Sequence, residues 1–287
     1  MNREKELSMK KLRIISLLCI LCLCLTACTA QQPGQEDTTQ SNTVRITIPE
    51  GSTAADIGAL MEQNGLFTRA EFLTQINRGS YDSALVQEIG EWENRAFLLE
   101  GYLFPDTYEF YKNDTPERII EKMLNNLETK ITDAYKTRAK EIGMSIDDVL
   151  TLASIIQAEA GDPKQMKTVS SVLHNRLKSK SHPKLECDVT IFYLEQDVQP
   201  YLTEDKDRFN SYYNTYKCTG LPEGPICNPG RDAIEAALYP EQTEYFYFAT
   251  DKAGKYYYAK TLEEHNQNWA AIKKVNASLE TSAQTNA

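Results

Sequence analysis

In Leu152-Ala153-Ser154-Ile155-Ile156-Gln157-Ala158-Glu159-Ala160, the apolar residues Leu152, Ile155 and Ile156 recur at helical spacing, and the next step of three or four residues lands on Glu159. A carboxylate thus extends a stripe that should be buried. Gln157 falls on another side of the same helix. Partial burial disfavours the ionised form of a carboxyl group, and the negative end of the helix, whose last turn Glu159 occupies, disfavours it again. Its pKa is expected to rise from about 4.3 towards 6 to 7, worth roughly 2.5 to 3.5 kcal/mol, which suits a general acid near neutral pH. Spacing alone leaves open a second reading, a buried glutamate paired with Arg176 or Lys164 of the following helix.

Other chemistries find little support. The only histidines, His174, His182 and His265, have no His-x-x-x-His spacing or paired cysteines beside them, so neither a metal nor a cofactor is expected. Nothing local activates Cys187 as a nucleophile towards His174, and no Gly-x-Ser-x-Gly elbow exists. The Gly/Pro-rich loop 220–230 lacks the spacing and lysine of a phosphate cradle and reads as a rigid groove wall. Beyond Cys28 only Cys187, Cys218 and Cys227 remain. Cys218 and Cys227 flank a turn-rich loop and form a possible disulfide in an oxidising compartment, with Cys187 a small buried hydrophobe.

The elements that must position Glu159 predict an α+β fold. Val44 to Ile48 alternates like a half-buried strand, Ser52 or Thr53 can cap a helix through Met61, and a second helix spans Arg69 to Asn77. This unit, assigned to residues 44–91, resembles the LysM-like βαα(β) module found ahead of certain cell-wall enzymes. A mixed helix and strand catalytic domain is expected over 92–278, with a disordered tail over 279–287. Pro116 to Lys130 reads as an amphipathic helix that Ile131 to Ile142 either continues or repacks. Ser145 and Asp148 approach a capping box that opens the helix Ile146 to Ala160, ended by Gly161, and Lys164 to Leu177 forms the next helix. Asp106 and Thr107 read as a turn cap after Pro105. Tyr245 to Thr250 and Lys255 to Lys260 read as paired strands around Asp251-Lys252-Ala253-Gly254.

Residues 1–13 carry five basic and two acidic residues, and residues 14–27 are almost wholly apolar, the pattern of a secretory signal. Leu25-Thr26-Ala27-Cys28 resembles a bacterial lipobox. Residues 1–27 therefore read as a lipoprotein signal peptide, Cys28 as the lipid-bearing residue and 28–43 as a flexible stalk; an uncleaved signal anchor is the alternative. Either places the protein on the extracytoplasmic face of the cell membrane. The formal charge of −10 becomes −13 once the net +3 of residues 1–27 is removed, which argues against nucleic acid as a partner.

Several further segments occur in order: Leu99-Glu100-Gly101-Tyr102-Leu103-Phe104-Pro105-Asp106-Thr107-Tyr108, Asn175-Arg176-Leu177, Asp188-Val189-Thr190, Tyr213-Asn214-Thr215-Tyr216, Gly220 to Gly230, and Glu264-His265-Asn266. With the Glu159 helix, they closely resemble the endolytic murein transglycosylase family, the MltG or YceG-like proteins, across roughly Val44 to Ile272. The resemblance implies cleavage inside nascent peptidoglycan strands, between N-acetylmuramic acid and N-acetylglucosamine. It further implies 1,6-anhydro ends, limited strand elongation, and cell-wall synthesis proteins as partners. The family's catalytic glutamate falls on Glu159, while the first acidic position of its Glu-x-Glu motif is Gln157 here. Tyr102, Tyr213 and Tyr216 are expected to offer ring faces to sugars, and Glu100, Asn175, Asp188, Thr190, Asn214 and Thr215 to offer polar contacts, with Glu100 alternatively a structural pair. The rival of another class is a lipoprotein that binds glycan or scaffolds the wall-synthesis machinery without cutting.

Overall fold

The computed structural model describes residues 42–78, 81–90 and 92–285 of the 287-residue chain. The signal segment, Cys28 and nearly all of the stalk lie outside the described residues. From Thr43 onward the chain forms one compact α+β unit.

Strand β1 (Thr43–Thr47) leads to α1 (Ala54–Gln63), α2 (Arg69–Ile76) and the short α3 (Ala84–Gln87). Thr53 and Thr68 cap α1 and α2 through reciprocal capping boxes with Asp56 and Glu71. The partner of β1 is β2 (Thr107–Tyr111), antiparallel with Ile46 opposite Tyr108 and Val44 opposite Phe110. The strand that closes this βααβ arrangement thus lies beyond residue 91. Asp106 and Thr107 open a strand and do not merely cap a turn: Ile48 N–H donates to Asp106 O at 2.9 Å, extending the pairing. Tyr108 and Phe110 point inward and Thr107, Glu109 and Tyr111 outward, the alternation of a strand with one buried face.

Helix α4 (Pro116–Lys130) buries Ile119, Ile120, Met123, Leu124 and Leu127, one helical stripe. The chain breaks at Ile131 and restarts as α5 (Asp133–Glu141), capped by Thr132, so 131–142 repacks as a separate helix. Helix α6 (Ile146–Glu159) starts at a complete Ser145/Asp148 capping box and is buried continuously from Val149 to Ile156. Such a helix sits at the centre of a core. It packs against α7 (Met166–Lys178), α8 (Val189–Tyr193) and, beyond the short α9 (Asn210–Tyr213), α10 (Arg231–Leu238). Strands β3 (Tyr247–Thr250) and β4 (Tyr256–Ala259) pair as an antiparallel hairpin. Helix α11 (Leu262–Thr285) packs on that hairpin and includes residues 279–285 of the stretch expected to be a disordered tail. A single hydrophobic cluster extends from Ile46 to Leu238. Among the described residues no helix is long and apolar enough to cross a membrane.

Candidate active site

Continuous burial from Val149 to Ile156 leaves only the two ends of α6 to meet solvent. Glu159 is the last residue of that helix and is only partly buried. It lines a cleft of about 600 Å³ with Arg176 from α7, Glu186, Asp188, Phe192 from α8, Tyr216, β3, and Leu262, His265 and Trp269 from α11. That volume matches an ordinary ligand site. A cavity of about 620 Å³ around Arg95, Asp147 and Lys178 lies towards the other end of α6. The rise of the helix from Asp147 to Glu159 puts the two roughly 18 Å apart along its axis.

Tyr256 fixes the helix end. Its hydroxyl donates to Glu159 O at 3.2 Å and accepts from Gly161 N–H at 3.0 Å, so β4 sets where the carboxyl group sits. The pKa of Glu159 is pushed up to about 7, first by desolvation and then by the negative charge of Asp188, while the Cys187 thiol and the Arg176 guanidinium pull the other way. Burial agrees with the reading from spacing; the second cause is Asp188. No ion pair within 4.0 Å joins Glu159 to Arg176 or Lys164 among the described residues. Arg176 is buried and spends Nε on Phe246 O at 2.7 Å and Nη1 on Leu185 O, with its guanidinium 5.6 Å from the Tyr247 ring centroid. It anchors the hairpin to α7 and acts on Glu159 only as a nearby charge.

The opposite wall depends on an unusual backbone turn. Glu186 has φ of 50°, a left-handed conformation that costs a non-glycine residue energy and persists only where its surroundings impose it. Its N–H is held by Thr215 O at 3.2 Å. The next residue is pinned as well: Cys187 N–H donates to Thr215 Oγ1 at 2.8 Å, and Thr190 Oγ1 donates to Cys187 O at 2.8 Å. This clamp turns Asp188 towards the cleft, where Asp188 Oδ1 accepts from the exposed Tyr216 hydroxyl at 2.8 Å.

Of the residues expected to touch sugar, Glu159, Asp188 and Tyr216 share this cleft, and the others require correction. Thr190 and Thr215 are fully buried and hold the clamp, with no face towards a ligand. Tyr213 has no exposed surface, and its hydroxyl accepts from Ala96 N–H at 3.2 Å; Tyr102 is equally buried and donates to Asp147 Oδ1 at 2.6 Å. Both rings are core. Glu100 is also sealed: its carboxyl accepts from Ala54 N–H, Asn228 Nδ2 and the Tyr193 hydroxyl, tying together α1, loop 220–230 and α8, and desolvation raises its pKa to about 8. Asn175 spends its amide on Thr243 O and Tyr245 O at 2.9 Å each, and Asn214 shapes the turn before Tyr216, accepting from its N–H at 3.0 Å.

Three further expectations change. Cys187, Cys218 and Cys227 are all free thiols; Cys227 is buried with its Sγ 3.4 Å from Ser154 O, so the bridge to Cys218 does not form. Loop 220–230 is not a wall of this cleft but a strap across the other side of α6, with Ile226 N–H donating to Ser154 Oγ at 3.0 Å. Gln157 faces that strap and accepts from Gly230 N–H at 2.9 Å. At Gly230 a Cβ would lie 2.0 Å from the Glu50 carboxyl carbon, so a larger residue there would push the exposed Glu50 side chain aside. Of the aromatic rings of the cleft, the sequence reading assigns a site role to Tyr216 but none to Phe192, Tyr247, His265 or Trp269. Their one available signal was the late Glu264-His265-Asn266 segment, with an aromatic residue one helical turn beyond His265.

A family model described as the YceG-like family matches residues 29–271. The chain belongs to the YceG-like family. Within it, a Bacillus subtilis (strain 168) protein named endolytic murein transglycosylase is 33% identical over 231 residues, covering 78% of this chain and 63% of that protein. A Streptococcus pneumoniae (strain D39) protein of the same name is 30% identical over 268 residues, covering 87% of this chain and 48% of its own length. This YceG-like chain therefore spans between about half and two thirds of the curated relatives it matches. A crystal structure of a yceG-like protein from Listeria monocytogenes superposes with a TM-score of 0.65 at 33% identity, covering 78% of this chain and 75% of that one.

Proposed function

We propose that this chain is an endolytic lytic transglycosylase that cuts peptidoglycan glycan strands between N-acetylmuramic acid and N-acetylglucosamine, with Glu159 as its general acid and base. The observation that carries this reading is a carboxyl group at about pKa 7 lining an open, ligand-sized cleft. The names of the two relatives support the substrate class. Protonated Glu159 gives its proton to the glycosidic oxygen as the bond to muramic C1 breaks. The resulting carboxylate takes the proton of the muramic C6 hydroxyl as that oxygen closes on C1, leaving a 1,6-anhydro end. No water is consumed, and Glu159 regains its proton. A tethered hydroxyl has the proximity advantage of an intramolecular nucleophile. Asp188, with its charge facing the cleft, both keeps Glu159 protonated and favours the positive charge that develops at C1.

The rest of the reading rests on sequence. The Leu25-Thr26-Ala27-Cys28 lipobox supports a lipid or signal anchor that holds the enzyme at the extracytoplasmic face of the membrane, beside cell-wall synthesis proteins, where cutting nascent strands limits their elongation. The βααβ arrangement of β1, α1, α2 and β2 supports a LysM-like role in holding glycan. Incubation with uncrosslinked glycan strands, read by mass spectrometry, tests the activity. Anhydro-muramic ends should appear with the wild type and vanish with Glu159→Gln. Their absence with the wild type would leave a glycan-binding or scaffolding protein.

A further inference from the structure

Trp269 is a large aromatic side chain left 43% exposed at the mouth of the cleft, and its orientation is nevertheless fixed. Its Nε1–H donates to His265 Nε2 at 3.0 Å, one turn back on α11, and the two rings meet edge to face at 6.1 Å and 80°. The imidazole is itself stacked on Tyr247, centroids 5.1 Å apart and 26° between planes, and Tyr247 carries the Arg176 guanidinium. A continuous stack thus runs from a buried arginine on α7 through β3 to a surface indole. Because the indole N–H is already used, what Trp269 offers a ligand is its apolar face. Across the same cleft α8 presents Phe192, 50% exposed.

Two exposed rings beside polar side chains select a particular chemistry. Glu159, Glu186, Asp188 and Arg176 line the same cleft, and an apolar partner segment would strip water from the Glu186 and Asp188 carboxylates without return. A pyranose ring meets both demands, with C–H faces for the aromatic walls and hydroxyl and acetamido groups for the polar side chains. We infer that Trp269 is a stacking platform for an N-acetylhexosamine ring of the strand, that His265 is the residue that positions it, and that Phe192 flanks the ring bound on the other side of Glu159. This deepens the transglycosylase reading and rests on it.

The chain contains only two tryptophans, Trp92 and Trp269, so Trp92→Phe leaves Trp269 as the sole indole reporter. On a Glu159→Gln background, which prevents cutting, a soluble tetrasaccharide of alternating N-acetylglucosamine and N-acetylmuramic acid is titrated by fluorescence and by calorimetry. Saturation should shift the Trp269 emission to the blue. Trp269→Ala should weaken binding on the order of 10- to 30-fold with an unchanged melting temperature, as expected when a central aromatic anchor is truncated. His265→Ala should weaken it about three- to tenfold, and His265→Gln, which keeps an acceptor, should restore most of that. In the cutting enzyme Trp269→Ala should raise KM more than it lowers kcat. Calorimetric binding that is unaffected by Trp269→Ala, with no emission shift, would overturn the platform and leave the transglycosylase reading standing. Emission that shifts with protein concentration alone would assign the ring to contact with a second copy and overturn it equally. No binding to Glu159→Gln together with no cleavage by the wild type would remove both.

Discussion

Replacing Glu159 by glutamine should abolish cutting and, above neutral pH, make the protein more stable. In the folded protein the carboxyl holds its proton up to about pH 7, whereas an unperturbed glutamate loses it near 4.5. Between those values the folded state binds more protons than the unfolded state. The contribution of Glu159 to stability is therefore fully present below about pH 4.5, is lost as pH rises towards 7, and stays lost above that. The full interval corresponds to about 3 kcal/mol. Partial exposure of the side chain, and loss in the variant of the favourable Cys187 and Arg176 interactions, reduce this to an expected 1 to 3 kcal/mol. Urea unfolding of wild type and Glu159→Gln at pH 4.5, 6 and 8 measures it, provided the two slopes agree. Other titrating groups, Glu100 included, are common to both proteins and cancel in the difference. The variant should gain on the wild type as pH rises and show no advantage at pH 4.5. A stability difference flat in pH, or one favouring the wild type at pH 8, would show that Glu159 is not held against its charge and would remove the physical basis for its role as acid.

Further outcomes follow from the same contacts. Asp188→Asn removes a negative charge that raises the Glu159 pKa; because activity needs the protonated acid, the alkaline limb of the kcat/KM profile should move down by about half to one pH unit, and a limb that stays or moves up would refute the coupling. Glu100→Ala strands the Ala54 N–H, Asn228 and Tyr193 donors in the core and should cost about 3 to 5 kcal/mol, read as a lower urea midpoint. Tyr213→Phe should lower stability by about 1 kcal/mol through the lost Ala96 contact while leaving KM unchanged; a raised KM would return that ring to the sugar groove. Since the three described cysteines are free, a reducing agent should leave the thermal midpoint unchanged, and a drop would reveal a bridge.

What could be read from the chain was what depends on neighbours along it. The Ser145/Asp148 capping box, the apolar stripe of α4 and the turn between β3 and β4 are local signals, and the helices and hairpin formed at or within a few residues of those marks. The Glu159 anomaly was legible for the same reason, since helical periodicity alone says which face a residue joins. The sugar-contact residues fared worse, because a motif reports that residues matter and not which way they face. Tyr102, Tyr213, Thr190, Thr215 and Glu100 all occur in family-like segments, yet each is spent on holding the core or the clamp.

Sequence by itself thus determined the α+β character, the central helix and the carboxyl group at its end, because helix periodicity and capping act over three or four residues. Only the tertiary structure decided what surrounds that carboxyl group. The pairing of β1 with β2, the left-handed Glu186 that turns Asp188 inward, and the Arg176, Tyr247, His265 and Trp269 stack each join segments tens of residues apart. Their geometry is fixed by packing and by hydrogen bonds across that distance, and neither leaves a periodic trace in the chain.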